Sequence, residues 1–230
     1  MLAVFVNALA VIFGTLLGLL FRKRLKEEYT QTIIACMGIC TMVIGISGAI
    51  ETSNILIVVV CMVVGTVLGE LLKLEARLDG LGDRLKKKVS KGGDSRFTEG
   101  FVSASLLFCI GSMSIMGSFE AGLQGKYDII FTKSLMDGII AITFAATMGI
   151  GVAFSSLTII VYQGALTLLA GVIAPVLSDP VITEMSAVGG VMLIATGMNI
   201  IGLTKERIRV GNMLPALIFP AVWFAIAGLF

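Results

Sequence analysis

Long apolar runs, each of roughly 20 residues, recur along the chain and are separated by short polar segments. An α-helix needs about 20 apolar residues to cross the hydrocarbon core of a bilayer. Hydrophobic residues make up 57% of the sequence and charged residues only 14%, whereas soluble domains carry about 25% charged residues. We therefore predict an all-α, polytopic membrane protein with a single membrane domain, residues 1–230. Its eight transmembrane helices are expected at about residues 2–21, 31–50, 54–72, 97–119, 133–154, 157–175, 181–203 and 211–230.

The basic residues predict how these helices cross the membrane. If eight helices cross with both termini outside, only Lys126 and Lys133 of the 17 lysines and arginines lie on the outer side, as the positive-inside rule requires. The basic cluster 22–26 follows the first apolar run, which reverses the order found in a cleaved secretory signal. The first helix is therefore expected to be retained. Residues 73–96 are expected to be cytoplasmic, with an amphipathic helix over 74–89 and a flexible linker after it.

Several kinds of chemistry have no residues to carry them. The sequence has no histidine, and its four cysteines lie inside apolar runs, where cysteine usually packs as a small hydrophobic residue. The sequence also lacks a phosphate-binding loop, a nucleophile elbow and paired intramembrane aspartates. We therefore expect no enzymatic activity, no cofactor, no metal site and no nucleic-acid partner. Because an ATP-binding motif is absent too, any transport by this chain is expected to be gradient-driven, to occur through a channel, or to be energised by a partner.

The segment 132–138, Thr-Lys-Ser-Leu-Met-Asp-Gly, leads into a long apolar run and carries two charges. Lys133 and Asp137 are four residues apart, so they lie on one face of a helix and can form an ion pair. An unpaired acid inside a membrane helix costs about 2.5–3.5 kcal/mol on insertion scales, which makes Asp137 a candidate functional residue. A second interpretation remains open, in which Lys133 only neutralises Asp137 near the lipid interface.

Other polar or helix-disturbing residues occur inside predicted helices. Pro220 is expected to kink the last helix and to free the carbonyl of Ala216, and Asn199 carries an amide that must find partners. Such groups at membrane depth are the usual components of ion and solute sites. Together they outline a hypothetical substrate or ion path that contains Asp137, Lys133, Ser134, Ser112, Ser114, Asn199, Gln163, Asn7, Ala216 and Pro220.

Glycines repeat at helix-packing spacing in two of the predicted helices. Gly14-Thr-Leu-Leu-Gly18 has a close counterpart in Gly65-Thr-Val-Leu-Gly69, and such small-residue ridges let helix backbones approach closely. We predict a homodimer formed through one of these ridges. The recurrence also suggests a parallel duplication of four plus four helices, although the same spacing is common helix-packing chemistry in membranes.

Five short segments resemble a known family: Lys133-Ser-Leu-Met-Asp137, Gln163-Gly164, Ser186-Ala-Val-Gly-Gly190, Ala195-Thr-Gly197 and Asn212-Met-Leu-Pro-Ala-Leu217. They are similar to segments of the prokaryotic family called domain of unknown function 554, and the resemblance runs over nearly the whole chain. It implies a multi-pass protein of the bacterial cytoplasmic (inner) membrane. It implies no particular activity.

These observations lead to two hypotheses from different classes. The first is a gradient-driven transporter or channel for a small solute or ion, with the lipid bilayer, the solute or ion and a second copy of the chain as partners. The alternative is a non-transporting membrane scaffold or regulatory subunit that acts through helix–helix contacts. A transporter should show an aqueous cavity that reaches the polar groups of the fourth, fifth, seventh and eighth predicted helices, whereas a scaffold should be packed solid there.

Overall fold

The computed structural model describes residues 1–22, 27–89, 96–110, 112–173 and 177–227. Every regular element in these residues is helical, as the apolar runs predicted. The α-helices are α1 (Leu2–Arg22), α2 (Glu27–Ala49), α3 (Ile55–Leu72), α4 (Leu74–Val89), α5 (Phe97–Cys109), α6 (Ser112–Leu123), α7 (Asp128–Met148), α8 (Gly151–Leu168), α9 (Ala170–Ile173), α10 (Asp179–Ile201) and α11 (Phe219–Ala227). A 3-10 helix, Val210–Leu217, precedes α11.

Six of the described helices are long and apolar enough to cross a membrane: α1, α2, α3, α7, α8 and α10. Helices α5 and α6 form a pair bent by 60°, which gives up to seven spans if the pair counts as one. The chain is therefore a multi-pass membrane protein. The shorter apolar stretch Val210–Ile226 falls below the length of a regular span, so the predicted count of eight, the N-out/C-out orientation and the duplication stay predictions.

Two predicted boundaries lie elsewhere. The helix expected to run unbroken over 97–119 is instead two helices, with Ile110 outside both. The break expected between the predicted helices 133–154 and 157–175 lies instead at Gly149, whose φ of 83° suits glycine. Ser155 and Ser156 belong to α8, and their hydroxyls donate to the carbonyls of Val152 and Ala153 at 2.7 and 2.6 Å. Serine can remain in a helix when its own preceding turn accepts its hydroxyl.

The chain divides into two compact units. The first contains Met1–Met37, Asp79–Cys109 and Met113–Gly171, and the second contains Gly38–Leu78, Ile110–Ser112 and Val172–Phe230. Each unit draws on both halves of the sequence. The units are therefore not the two predicted four-helix repeats.

In the first unit, α1 and α7 run in the same direction at very short range. A Cβ atom on Gly14 would collide with the carbonyl oxygen of Gly138, and one on Gly18 would collide with that of Ile142. Only glycine allows this approach, because its missing side chain leaves room for the neighbouring backbone. Helix α5 lies along α8, where the hydroxyls of Ser105 and Thr158 are 3.0 Å apart.

In the second unit, α3 packs in the opposite direction on the 3-10 helix. A Cβ atom on Gly65 would collide with Ala216, and one on Gly69 would collide with Asn212. Both glycine ridges are thus covered by other segments of the same chain. The structure contradicts their assignment as a dimer interface, because a second copy cannot occupy a face that is already packed. The homodimer itself stays a prediction without an assigned surface.

Large apolar side chains cover the outer face of α1. Phe5, Leu9, Phe13, Leu16 and Leu20 are all exposed, and they recur at intervals of three or four residues. The buried residues of this helix lie on its other side and include Asn7, Gly14, Thr15 and Gly18. A helix that turns apolar residues outward and polar residues inward is typical of a membrane environment.

Candidate functional site

Lys133 and Asp137 form the ion pair that their spacing predicted. The Nζ atom of Lys133 is 2.8 and 2.6 Å from the two carboxylate oxygens of Asp137, on successive turns of α7. The residues are 6% and 4% exposed. The pair is enclosed by protein, whereas Lys126 and Asp128 near the start of the same helix are exposed. A simple interfacial anchor would not need such enclosure.

Neutral polar side chains from three other helices extend this pair into a network. The side chain of Asn7 on α1 lies close to the Asp137 carboxylate, and its Nδ2 donates to Oε1 of Gln163 on α8 at 3.2 Å. Nε2 of Gln163 in turn donates to Oγ of Ser114 on α6 at 3.0 Å. Asn7, Gln163 and Ser114 are all 0% exposed. We call Lys133, Asp137, Asn7, Gln163 and Ser114 the polar network.

One acceptor in the polar network has no partner among the described residues. It is Oδ1 of Asn7, which is fully buried. Oε1 of Gln163 accepts from the NH₂ group of Asn7, which leaves the carbonyl oxygen of Asn7 without a donor in the described part of the chain. An unpaired buried polar group costs about 1–3 kcal/mol. This oxygen could therefore accept a hydrogen bond from a donor on a ligand.

The polar network lies near one end of the helices that form it. Asn7 is close to the start of α1, Lys133 and Asp137 are close to the start of α7, and Gln163 is close to the end of α8. At 1.5 Å rise per residue, these positions are about 8–14 Å from the helix ends. The network is thus buried but separated from the nearby helix ends by only about one and a half to two and a half helical turns.

Two further predicted residues are Ser134, which belongs to the first unit, and Ser112, which belongs to the second. Ser134 is buried, but its hydroxyl donates to the carbonyl of Ile130 at 2.7 Å within α7. The Ser134 hydroxyl is therefore hydrogen-bonded within its own helix and is not part of the polar network. Ser112 is the first residue of α6, and its side chain lies outside the described part.

Asn199, Ala216 and Pro220 belong to the second unit. The amide of Asn199 holds both polar groups of Ile208, donating to its carbonyl and accepting from its N–H at 2.8 Å each. Asn199 therefore fixes the loop after α10. Ala216 is fully buried against Gly65. Pro220 is the second residue of α11, so the expected mid-helix kink is wrong: a 3-10 helix ends before it, and proline is tolerated in a first helical turn.

Two buried acids of the second unit were not among the predicted residues. Glu184 on α10 is 0% exposed. Its Oε2 accepts from the Thr52 hydroxyl at 2.5 Å, and its Oε1 accepts from the backbone N–H groups of Ser53 and Asn54 at 2.8 and 3.2 Å. The position of an acid inside the predicted helix 181–203 was a usable signal for it.

The second missed acid, Glu75, lies at the start of α4. Its N–H donates to Oδ1 of Asn212 at 2.7 Å, and its Oε2 accepts from the N–H of Gly211. Arg207 approaches its other oxygen at 3.3 Å. These bonds join the start of α4 to the 3-10 helix, so we interpret Glu75 as a structural residue.

The architecture is that of a multi-pass helical membrane protein with a buried ion pair inside a polar network. The chain belongs to the family described as protein of unknown function (DUF554), which matches residues 2–225. This membership confirms the resemblance noted in the sequence.

Two relatives cover almost the whole chain. An uncharacterized membrane protein, YdfK of Bacillus subtilis (strain 168), is 33% identical over 220 residues, which cover 94% of this chain and 92% of the relative. An uncharacterized protein, YqgA of Escherichia coli (strain K12), is 31% identical over 235 aligned positions, which cover 96% and 98% of the two chains. No solved structure matches the chain significantly.

Proposed function

We propose that this protein is a gradient-driven transporter or channel for a small solute or ion, located in the cytoplasmic membrane of a bacterium. The observation that carries the proposal is the polar network. It gathers an ion pair and three neutral polar side chains from four helices into the interior of a membrane protein. Ionisable residues inside membrane helices are rare and usually serve substrate or ion pathways.

Stability alone gives little reason for such a network. Replacing a buried ion pair by apolar residues of similar volume is often neutral, or stabilising by about 1–4 kcal/mol. The open acceptor on Asn7 adds a further cost. We therefore infer that the network is retained for binding. Its residues form hydrogen bonds and an ion pair, and we propose no covalent chemistry for them.

The scaffold hypothesis receives less support. A scaffold acts through helix–helix contacts, for which the glycine ridges and the basic segment 73–96 were the candidates, and both ridges are packed against other segments of the same chain. The predicted orientation, with both termini outside, would set the polar network closer to the outer surface. We propose that the network is first reached from that side.

Uptake into proteoliposomes tests the proposal. Labelled alkali cations, amino acids and organic acids are offered to wild type, to Asp137→Asn, and to the double variant Lys133→Met with Asp137→Asn. The expected result is uptake of at least one solute by wild type and loss of that uptake in both variants, with the thermal stability preserved in the double variant, which strands no charge. Asp128→Asn serves as the matched control, because Asp128 is an exposed acid on the same helix. If the double variant folds well and takes up the solute as fast as wild type does, the polar network has no role in transport.

A further inference from the structure

We propose that the polar network binds a small zwitterion that carries a primary ammonium and a carboxylate, such as a short-chain α-amino acid. This inference rests on the proposed function and names its substrate class. Three properties of the network support it: its charge balance, its open acceptor and the narrow space around it.

The charge balance favours a ligand without net charge. Lys133 and Asp137 cancel each other, and the other members of the network are neutral. A lone cation or anion would leave one uncompensated charge in the interior, which costs several kcal/mol. A zwitterion adds none. Its ammonium can take the place of Lys133 beside the Asp137 carboxylate, while its own carboxylate pairs with the released Lys133 ammonium.

The open acceptor specifies what the positive end of the ligand should be. A primary ammonium has three N–H donors. Two can reach the carboxylate oxygens of Asp137, as those of Lys133 do at present. The third is available for Oδ1 of Asn7, the buried oxygen that lacks a partner among the described residues. A quaternary ammonium has no N–H and would leave this oxygen unpaired.

The surrounding backbone limits the size of the ligand. Gly138 follows Asp137 directly, and a Cβ atom placed on it would lie 3.3 Å from the carbonyl oxygen of Ala10 on α1. One turn further along, Gly14 already touches the backbone of Gly138. This close approach of α1 and α7 leaves little room beside the ion pair. A zwitterion with no side chain, or a methyl side chain, fits this restriction best.

Equilibrium binding to purified wild type in nanodiscs decides the question. Glycine and L-alanine are the probes. The comparison compounds are betaine, which keeps both charges but has no N–H, methylamine, which has only the ammonium, and acetate, which has only the carboxylate; sodium chloride tests a simple cation. We expect glycine or alanine to bind at least about tenfold more tightly than any comparison compound, because each lost charge-assisted hydrogen bond weakens binding by about that factor.

The variants assign this binding to the network. Asp137→Asn and the double variant Lys133→Met with Asp137→Asn should each weaken glycine binding at least about tenfold. Asn7→Leu should reduce the preference for glycine over betaine. Lys126→Met and Asp128→Asn remove exposed charges near the start of α7 and should leave binding unchanged. The double variant keeps the test valid if the single change fails to fold, since it strands no charge.

Each outcome bears on a separate conclusion. If neither glycine nor alanine binds at millimolar concentration, or if betaine binds equally well, the zwitterion inference is wrong. If sodium binds instead and its uptake still depends on Asp137, the inference fails while the transport function stands. If glycine binds tightly but no labelled solute enters proteoliposomes, the binding site is real and the transport function fails.

Discussion

Asp137 in the first compact unit and Glu184 in the second are both buried carboxylates, and they are held in different ways. Asp137 is paired with a lysine on its own helix and touches an asparagine whose carbonyl oxygen is unpaired. Glu184 accepts three hydrogen bonds from neutral donors in the loop that begins α3. The first arrangement leaves a hydrogen-bond acceptor unpaired next to the carboxylate. In the second, both carboxylate oxygens accept hydrogen bonds from one nearby loop.

The difference separates a binding role from a structural one. At Glu184 the negative charge lies at the start of α3, where unpaired N–H groups and the helix dipole stabilise an anion. In addition, Asn54 caps the same helix through the N–H of Leu56 at 3.1 Å. Glu184 therefore fastens the 51–54 loop. Asp137 lies inside α7 and does not accept from the N–H groups of a helix start, so its negative charge is compensated by Lys133. A cation or an ammonium from a ligand could replace the Lys133 ammonium there.

The largest effect on stability is expected from separating the ion pair. Lys133→Met strands the Asp137 carboxylate in the interior and should lower the free energy of unfolding by about 3–5 kcal/mol. The double variant Lys133→Met with Asp137→Asn should recover most of that loss. Denaturant unfolding in mild detergent measures both values. Equal instability of the single and double variants would mean that packing, not charge, determines the effect.

A smaller loss is expected at Glu184. Glu184→Gln keeps the shape but replaces an accepting oxygen by an NH₂ group, so at least one donor among Thr52, Ser53 and Asn54 loses its acceptor. We expect a loss of about 1–3 kcal/mol, with faster hydrogen exchange at Ser53 and Asn54. Solute binding at the polar network should be unchanged. Altered binding would contradict the purely structural role given to Glu184.

Thr52→Val should have a smaller effect again. It removes one hydroxyl donor but leaves both backbone N–H groups on Glu184. Loss of one hydrogen bond to a charged acceptor predicts about 1.5 kcal/mol. Thermal unfolding, compared with that of Glu184→Gln, checks the order of the two changes. If Thr52→Val lowers the stability as much as Glu184→Gln does, the Thr52 hydroxyl, rather than the backbone N–H groups, holds the carboxylate.

The smallest effect is expected from Asp128→Asn. This acid is exposed in the first turn of α7, where it gains only from the helix dipole, by about 0.3–1 kcal/mol. Thermal unfolding should therefore show a loss in the free energy of unfolding that is close to this value. A loss comparable to that of Lys133→Met would remove the contrast between exposed and buried acids on which the comparison depends.

The sequence allowed part of this picture to be predicted. Apolar runs of sufficient length predicted the helices, and the four-residue spacing predicted the ion pair, because both are local properties of the chain. The assembly of Asn7, Gln163 and Ser114 depends on contacts between helices far apart in the sequence, and no local pattern encodes it. Glu184 was missed because an acid near the start of an apolar run looks interfacial until its donors are seen. Asn199 was assigned to the path because its backbone partner, Ile208, belongs to a loop whose course cannot be read from periodicity.

The glycine contact between α1 and α7 also has a consequence for how the protein is made. Gly14 meets Gly138, and a ribosome adding about 5–20 residues per second needs several seconds or more to synthesise the intervening segment. During that interval α1 is already long enough to enter the bilayer, but the helix that covers its inner face does not yet exist. The amide of Asn7 must then be sheltered by temporary partners in the insertion machinery or by neighbouring helices. We therefore expect a waiting step in the biogenesis of this protein, which ends when α7 enters the membrane.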